Sequence, residues 1–355
     1  MRDRRITQQQ LRTLLLLALL PLATELLPGR MEQAGSAAWL CPLAAGGGAV
    51  VLALVCSRDT GAPKDLGLRL REHWGKAGSR VLMGTFFLWG FVLLTAHASR
   101  VGGRLSDALG ASPVLLTAAV LLLAGVMAGE GVPAFARACE VFALAVGFGF
   151  VLVLLFGVFR LRWDYILLWG PEELRQVPGG ALTALGTLAA GSYAVFLLSD
   201  VREEPKSRQR WTPWALGIFA LVAAGMVLVL GRFGPALTAQ IDRPFFQMVS
   251  GLVFEGAFQR LEQLASALWV LGDEALLALL LLALRRLLAQ ISGREERRRM
   301  GWCLLAAVFL CSLVPDVWNG VVDGGVLPLG NLIAGGLILA LGAQKRKLGI
   351  FRKSA

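Results

Sequence analysis

Four ionisable side chains lie inside long apolar segments of this 355-residue chain, and they are the groups most able to do chemistry. They are Glu25, Arg100, Asp273 and Glu274. An ionised group in an apolar span is costly, so such residues pair with one another or line a path for a ligand or an ion. We predict that Glu25 either pairs with Arg100 or meets the ammonium group of a ligand. Arg100 alternatively extends to the lipid headgroups.

Asp273 and Glu274 lie midway along an apolar run, in LWVLGDEALLALL (268–280). Adjacent residues on a helix point about 100° apart, so at most one of these acids faces a given partner. We expect one of them to face an aqueous path or a cation, unless both lie at a membrane interface. Together with Glu25 they are the candidates for coupling to an ion.

Two segments are predicted to be interrupted helices. Residues 14–29 carry Pro21 in the middle and Pro28 near the end, and proline removes a backbone donor and kinks or breaks a helix. Residues 178–200 are rich in glycine, which close helix packing explains equally well. Interrupted segments at corresponding positions of two halves indicate a binding site. The predicted ligand contacts are Ala23, Thr24, Glu25, Arg100, Gly191, Ser192 and Tyr193.

Ten apolar segments position these residues. Hydrophobic residues make up 56% of the chain and charged residues 17%, with a mean hydropathy of +0.65, whereas soluble domains carry about 45–50% and about 25%. This composition excludes an ordinary soluble enzyme, and it predicts an all-α polytopic membrane protein with a single transmembrane domain over residues 1–355. The predicted spans are 11–29, 36–56, 81–101, 113–129, 134–159, 178–199, 212–231, 260–289, 301–315 and 325–343.

The net charge of +11 is distributed as a membrane orientation signal. If ten spans alternate, 26 of the 35 lysines and arginines fall on the side of the two termini. Basic residues favour cytoplasmic loops, so both termini are predicted to be cytoplasmic. Residues 232–259 then form an extracellular loop with a short surface helix near Pro244–Leu252. No interleaving of aromatic and basic residues indicates a nucleic-acid groove, and no metal-ligand spacing or nucleophile–base set indicates an enzyme or a cofactor.

Several short motifs, taken in order, resemble a known family. ITQQQL (6–11), LPG (27–29) and AGSAAWL (34–40) are similar to the start of amino-acid permeases of the amino acid–polyamine–organocation type. They are more similar still to the B subunit of endospore germinant receptors. The motifs that follow in the order of that family are ASP (111–113), GEGVPAFARACEVF (129–142), RFGP (232–235), DRPFF (242–246) and FQRLEQLASALWV (258–270).

The resemblance covers nearly the whole chain, and it implies a leucine-transporter-like fold. Two inverted five-span repeats, at about 6–159 and 175–343, would place a ligand near the breaks of spans 1 and 6, walled by spans 3 and 8. The implied function is a permease-like subunit that senses a small germinant, commonly an amino acid, in the spore inner membrane. Its implied partners are a germinant receptor A subunit, a lipoprotein C subunit and the lipid bilayer.

The chain departs from the family in both broken spans. Span 6 reads Gly191-Ser192-Tyr193 where the family has Gly-x-Glu, and Glu25 stands in span 1. We hypothesise that the acid has moved from one broken helix to the other across the same cavity, which would suit a different ligand. Two alternatives stay open: an ion-coupled secondary transporter of amino acids or amines, and a structural or channel-forming subunit whose pocket is empty.

Overall fold

A computed structural model describes residues 5–56, 66–202, 211–251, 261–293, 295–323 and 325–343 of the chain. One isolated parallel bridge joins Ile6 to Val201; otherwise the described backbone is mainly helical. The α-helices are α1 (Gln8–Leu26), α2 (Leu40–Cys56), α3 (Leu66–Leu109), α4 (Pro113–Gly129), α5 (Val132–Val158), α6 (Asp164–Leu167), α7 (Pro171–Leu188), α8 (Trp211–Phe233), α9 (Pro235–Gln240), α10 (Pro244–Ser250), α11 (Leu261–Ser292), α12 (Arg298–Ser312), α13 (Pro315–Asp323) and α14 (Val326–Ala343).

Nine of the ten predicted spans each overlap one of these α-helices, and the sixth combines α7 with the 3-10 helix that follows it. Among the described residues, five stretches are long and apolar enough to cross a membrane: Leu70–Leu109, Val132–Val158, Pro171–Asp200, Trp211–Phe233 and Ala265–Ser292. Shorter apolar helices cover Leu40–Val50, Pro113–Gly129 and Val326–Leu341. Spans 1 and 9 correspond to α1 and α12.

The centre of the bundle is built from α11 and α1. The side chains from Ala275 to Leu284 are all buried, and α11 packs against α1, α3, α4 and α5. A helix that is apolar on every face is stable only when it is surrounded. The polar residues of α1 and α11 therefore lie in the interior, where each needs a partner.

The third span is longer than predicted. Gly75, with φ +67°, joins a short first helix to a long second one within α3. Glycine adopts this left-handed conformation without the steric cost that a Cβ brings. The long part ends at Leu109, eight residues beyond the predicted end, and so Arg104 lies within the span.

The first span is interrupted at one of the two predicted places. Pro21 lies inside a continuous α1, which ends at Leu26. The chain continues as 3-10 turns at Pro28–Arg30 and Glu32–Ala37. The predicted break at Pro21 was therefore wrong, whereas the one at Pro28 agrees with the discontinuity, which begins at Leu27.

Close packing explains why the helix tolerates Pro21. The carbonyl of Leu17 loses its usual donor because proline has no N–H. This carbonyl faces Gly272 of α11, where a Cβ would lie 2.7 Å from the Leu17 oxygen and 3.0 Å from the Pro21 Cβ. The absence of a side chain at residue 272 lets the backbone of α11 approach the proline turn directly.

A carboxylate from α7 holds the non-helical part of span 1. The Oε1 atom of Glu173 accepts the Ser36 N–H at 3.1 Å, and its Oε2 atom accepts the Gly170 N–H at 3.1 Å. Gly35 between the turns has φ +50°, a backbone conformation that favours glycine. One side chain thus caps the start of α7 and anchors the turn beside it.

The sixth span changes its helix type near its predicted break. The α-helix α7 ends at Leu188, and residues Ala189–Asp200 continue as a 3-10 helix. The change falls two residues before Gly191. A long stretch of 3-10 helix is uncommon because its hydrogen-bond geometry is poorer, and it often marks a functional hinge.

The loop after span 7 folds inward. The helix α10 (Pro244–Ser250) forms where the sequence predicts a short helix, but Phe245, Met248 and Val249 are buried. Its packing against α11 and α8 corrects the expectation of a surface helix, because these apolar side chains gain more by entering the bundle. Residues 252–260 of the predicted loop lie outside the described residues.

Candidate functional site

Glu25 ends α1 within reach of two arginines of α3. Its Oε1 atom accepts the Arg100 Nε–H at 3.0 Å, and its Oε2 atom accepts an Arg104 Nη1–H at 2.6 Å. Residues four apart lie on one face of a helix, so Arg100 and Arg104 meet the same carboxylate. Glu25 and Arg104 are buried, whereas the Arg100 side chain keeps 15% of its surface exposed.

Asp273 of α11 is the second partner of Arg104. Its Oδ2 atom accepts a hydrogen bond from Nη2 of the same guanidinium. Arg104 thus bridges an acid of α1 and an acid of α11. We call Glu25, Arg100, Arg104 and Asp273 the charge cluster; it contains two acids and two cations, and it ties together three helices that are distant in sequence.

Aromatic rings close one side of the charge cluster. The Phe246 ring lies 5.1 Å from the Arg104 guanidinium carbon, in cation–π contact. Trp269 packs against Phe245 at 4.9 Å and Phe150 at 6.1 Å between ring centroids. These rings exclude water from the cluster, and an ion pair shielded from water is stronger than one at a surface.

Thr24 links α1 to the buried Trp269. The indole Nε1–H donates to Thr24 Oγ1 at 3.1 Å. The threonine hydroxyl itself lies 2.9 Å from the Leu20 carbonyl oxygen and 3.0 Å from that of Pro21, and it donates to them. Thr24 therefore has a structural partner on each side, and it fixes the turn that presents Glu25.

Glu274 differs from its neighbour in having no partner. Its side chain is fully buried, and among the described residues neither carboxyl oxygen has a hydrogen-bond partner. Asp273 points toward Arg104, and the 100° step along the helix directs Glu274 elsewhere. The expectation that the two acids cannot share one partner agrees with this geometry.

The predicted contacts of span 6 lie apart from the charge cluster. Tyr193 donates its hydroxyl hydrogen to the Phe86 carbonyl at 2.7 Å, and its ring lies against Gly90. Gly90 precedes Arg100 by ten residues of helix, which is about 15 Å at 1.5 Å per residue. The structure thus does not bring Tyr193 into one pocket with Glu25 and Arg100.

The other predicted contacts lie between these two levels. Ala23 is fully buried, one turn beyond Leu19 on α1. Gly191 packs against Leu19, and a Cβ at residue 191 would lie 2.8 Å from its side chain. Ser192 has a buried Oγ without a hydrogen-bond partner in the described part of the chain. Ala23 and Gly191 serve helix packing here.

A cavity of about 420 Å³ is lined by residues of span 1 from Gly29 onward, and no residue of the charge cluster lines it. Its walls are the 3-10 turns after α1 and the middle of α7. This volume falls within the usual range for a small-molecule pocket, about 300–1,000 Å³. The polar side chains that line it are Arg30, Glu32, Gln33, Gln176 and Thr183.

A second set of contacts closes the end of the bundle near residue 6. The Ile6 N–H donates to the Asp200 carbonyl and the Arg202 N–H to the Ile6 carbonyl, both at 2.8 Å. Arg286 of α11 donates to the Asp200 carboxylate at 2.6 Å and to the Phe196 carbonyl at 2.7 Å. The segment before α1 and the ends of span 6 and α11 are thus tied together.

Arg104 of the charge cluster and Trp269 beside it are not among the predicted site residues. A third span that ends at residue 101 places Arg104 in a loop, although its spacing of four from Arg100 puts both on one helix face. Trp269 lies in a motif of the resembled family, and it also stands four residues before Asp273. In both cases the i,i+4 spacing from a recognised ionisable residue was a usable signal.

Solved structures share this arrangement of helices. The crystal structure of MhsT in complex with L-phenylalanine matches with a TM-score of 0.65 at 15% identity, over 98% of this chain and 94% of that one. The chain has the leucine-transporter fold. A mutant of the Eremococcus coleocola manganese transporter matches with a TM-score of 0.50 at 13% identity, over 94% of this chain and 75% of that one. No protein-family model matches the chain, and no curated protein matches it.

The leucine-transporter fold confirms the predicted fold class, an all-α polytopic membrane protein of two five-helix repeats with interrupted first and sixth spans. The predicted repeats, at about 6–159 and 175–343, stay a prediction. With these boundaries the first repeat would contain α1 to α5, and the second would contain α7 with its 3-10 extension, α8, α11, α12 and α14. At these identities the likeness concerns the fold alone, so the ligand has to be argued from the residues of this chain.

Proposed function

We propose that this protein is the permease-like subunit of a nutrient germinant receptor, and that it binds a small amino-acid-like germinant at the charge cluster. The order of its sequence motifs supports the family, and the leucine-transporter fold is the one that the family implies. The observation that carries the ligand site is the Glu25–Arg100 ion pair between α1 and α3. Four residues after Glu25, Gly29 begins the lining of a cavity large enough for a small molecule.

The chemistry of this pair suits a zwitterion. An amino acid carries an ammonium group and a carboxylate, so it can enter between Glu25 and Arg100 without changing the net charge of the cluster. Its ammonium group would replace the arginine at Glu25, and its carboxylate would accept bidentate hydrogen bonds from the guanidinium. Arg100 is the member of the cluster with an exposed edge, which makes this pair the natural point of entry.

Spores lacking this gene test the proposal with a nutrient panel. We expect loss of germination with one or a few amino acids, restored by the wild-type gene. Restoration by Glu25→Gln or Arg100→Gln should fail, or should require much higher germinant concentrations. Arg175→Gln is the matched control, because Arg175 forms an exposed ion pair with Glu172. Unchanged germination of the deletion strain with every nutrient would reject the proposal.

The proposed partners and location follow from the family. The protein would lie in the spore inner membrane with both termini cytoplasmic, beside an A subunit and a lipoprotein C subunit. Co-purification of these subunits with the tagged protein from spore membranes tests the assembly. Protease protection of tags at the two ends tests the orientation, with accessible tags at both ends expected in inside-out vesicles only.

The second candidate is an ion-coupled secondary transporter of amino acids or amines. It is favoured by Glu274, a buried carboxyl that the charge cluster does not use. Uptake of radiolabelled amino acids into proteoliposomes, with and without an imposed ion gradient, separates the two functions. Accumulation that follows the gradient indicates transport, whereas binding without accumulation supports the receptor.

A further inference from the structure

The charge cluster is electrically balanced without any ion. Glu25 is paired with Arg100 and Arg104, and Asp273 is paired with Arg104. Two buried acids therefore have two cationic partners. Of the three acids that the sequence marks as candidates for ion coupling, Glu25 and Asp273 already have their countercharge, which leaves Glu274.

An ionised Glu274 would have no compensation. Its side chain is fully buried in the middle of α11, and neither oxygen accepts a hydrogen bond within the part of the chain that the structure describes. The free-energy cost of burying an unpaired charge is much larger than the gain from one buried hydrogen bond. A buried carboxyl group without a partner is therefore neutralised and does not stay ionised. A carboxylate is neutralised by the binding of a proton or of a cation.

Among the described residues, no cation of the helices around α11 donates a hydrogen bond to Glu274. Within the described residues, α4 carries no charged side chain, and the neighbouring acid is Asp273, which has a partner. The other elements packed against α11 carry several charged or titratable side chains in their apolar parts, counted in α3 from residue 81 onward. They are Arg12 and Glu25 of α1, His97, Arg100, Arg104 and Asp107 of α3, Arg137, Cys139 and Glu140 of α5, Tyr193 and Asp200 of the 3-10 helix, and Cys303 and Cys311 of α12.

Several of these groups have other partners. Tyr193 donates to a carbonyl of α3 and Asp200 pairs with Arg286, while Glu140 accepts a hydrogen bond from Gln10. No group of three His, Cys, Asp or Glu side chains among the described residues could hold a metal ion. A proton needs one carboxyl oxygen, whereas a metal cation needs several oxygen ligands.

We propose that Glu274 is a proton-binding site, and that its proton is released when a ligand opens the charge cluster. The two parts have different foundations: proton binding rests on Glu274 itself, whereas release rests on the proposed ligand site. A ligand that separates Glu25 from Arg100 brings one cation and one anion, so the charge of the cluster stays balanced while its packing opens. Water that enters beside Asp273 then hydrates the carboxylate form of the neighbouring Glu274, which removes the cost of burying that charge. The O–H bond of Glu274 breaks, and the proton passes to this water.

Infrared spectroscopy of the full chain in lipid nanodiscs tests proton binding directly. The wild-type protein at neutral pH should show the C=O stretching band of a protonated carboxylic acid, and Glu274→Gln should remove it. Glu172→Gln changes an exposed acid and is the matched control, which should keep the band. If Glu274→Gln does not fold, Glu274→Asp should shift the band instead.

Proton release is measured separately with a pH-sensitive dye in weak buffer. Addition of an equimolar mixture of the proteinogenic L-amino acids should release about one proton per binding event from wild-type protein and none from Glu274→Gln. A band that survives in Glu274→Gln would overturn the proton site, and so would a band that depends on sodium at constant pH. Loss of the band without ligand-induced release would keep the proton site and overturn its coupling to the proposed function.

Discussion

The replacement of Arg104 by methionine should destabilise the protein strongly, because this guanidinium holds two buried acids. Its contacts join Glu25 at 2.6 Å and Asp273, and all three side chains are buried. Removal of one partner from a buried ion pair typically costs about 3–5 kcal/mol, because the other charge loses its compensation. Asp273 is the acid left alone here, since Glu25 retains Arg100.

The expected shift of the melting temperature follows from chain length. An unfolding entropy of about 2.1 cal/mol/K per residue gives roughly 0.75 kcal/mol/K for this chain, so this loss corresponds to about 4–7 °C. Thermal unfolding followed by tryptophan fluorescence in nanodiscs measures it. Arg175→Met removes an exposed arginine and should shift the melting temperature by less than about 1 °C, because an exposed ion pair contributes little.

A double variant separates charge balance from packing. Arg104→Met combined with Asp273→Asn removes one cation and one acid, and it leaves the neutral pair of Glu25 and Arg100. The double variant should be more stable than the sum of the two single effects predicts, with a coupling free energy of about 1–3 kcal/mol. Strictly additive effects would show that the cluster does not act as a balanced unit.

Three further positions are tested in the same melting assay: two lie beside the cluster, and the third, Tyr193, lies apart from it. Thr24→Val leaves the indole N–H of Trp269 buried without an acceptor and should cost about 1–3 kcal/mol, whereas Thr24→Ser should cost less than half of this. Gly272→Ala forces a methyl group against the proline turn of α1 and should cost about 1–3 kcal/mol; Gly84→Ala, which meets no atom within 4 Å, should be neutral or slightly stabilising. Tyr193→Phe removes one hydrogen bond and should lower the free energy of unfolding by about 0.5–1.5 kcal/mol. The affinity for the ligand should not change. A large loss of affinity would place the ligand at span 6 instead of at the charge cluster.

Hydropathy and loop charge were sufficient to predict the helices, because an apolar helix of membrane length has few alternatives. The position of the discontinuity in span 1 was harder to predict. Pro21 alone predicts a break, but the helix continues there because Gly272, 251 residues later, packs against the proline turn. The tolerance of a proline thus depends on a residue in another helix, and a local pattern cannot show it.

The charge cluster was partly predictable. Glu25, Arg100 and Asp273 stood out because ionisable residues are rare in apolar spans. Arg104 was missed because the sequence around it, Val101-Gly102-Gly103-Arg104, resembles the start of a loop. The helix continues through both glycines because Gly102 packs against Thr117 of α4, where a Cβ would come within 3.0 Å of the threonine backbone.

The prediction that spans 1 and 6 contribute to one pocket requires that their breaks lie at the same depth in the membrane. The depth of each break cannot be read from the sequence. Residues 191–193 and 23–25 lie at corresponding positions of two repeats that run in opposite directions. A shift of a few residues in either break moves the two sets apart by a turn or more. The break of span 1 lies at Leu27 and that of span 6 at Ala189, which is why Tyr193 and Glu25 lie at different levels.

The charge cluster also imposes an order on the biogenesis of this protein. Glu25 leaves the ribosome 75 residues before Arg100 and 248 residues before Asp273, so span 1 enters the membrane with an acid whose partners do not yet exist. After span 3 has entered, Arg104 brings a second cation to this acid, and the balance is restored only when α11 is inserted. A chain truncated before α11 would carry an excess positive charge in its core. Its degradation by membrane quality control would mark α11 as the helix that completes the fold.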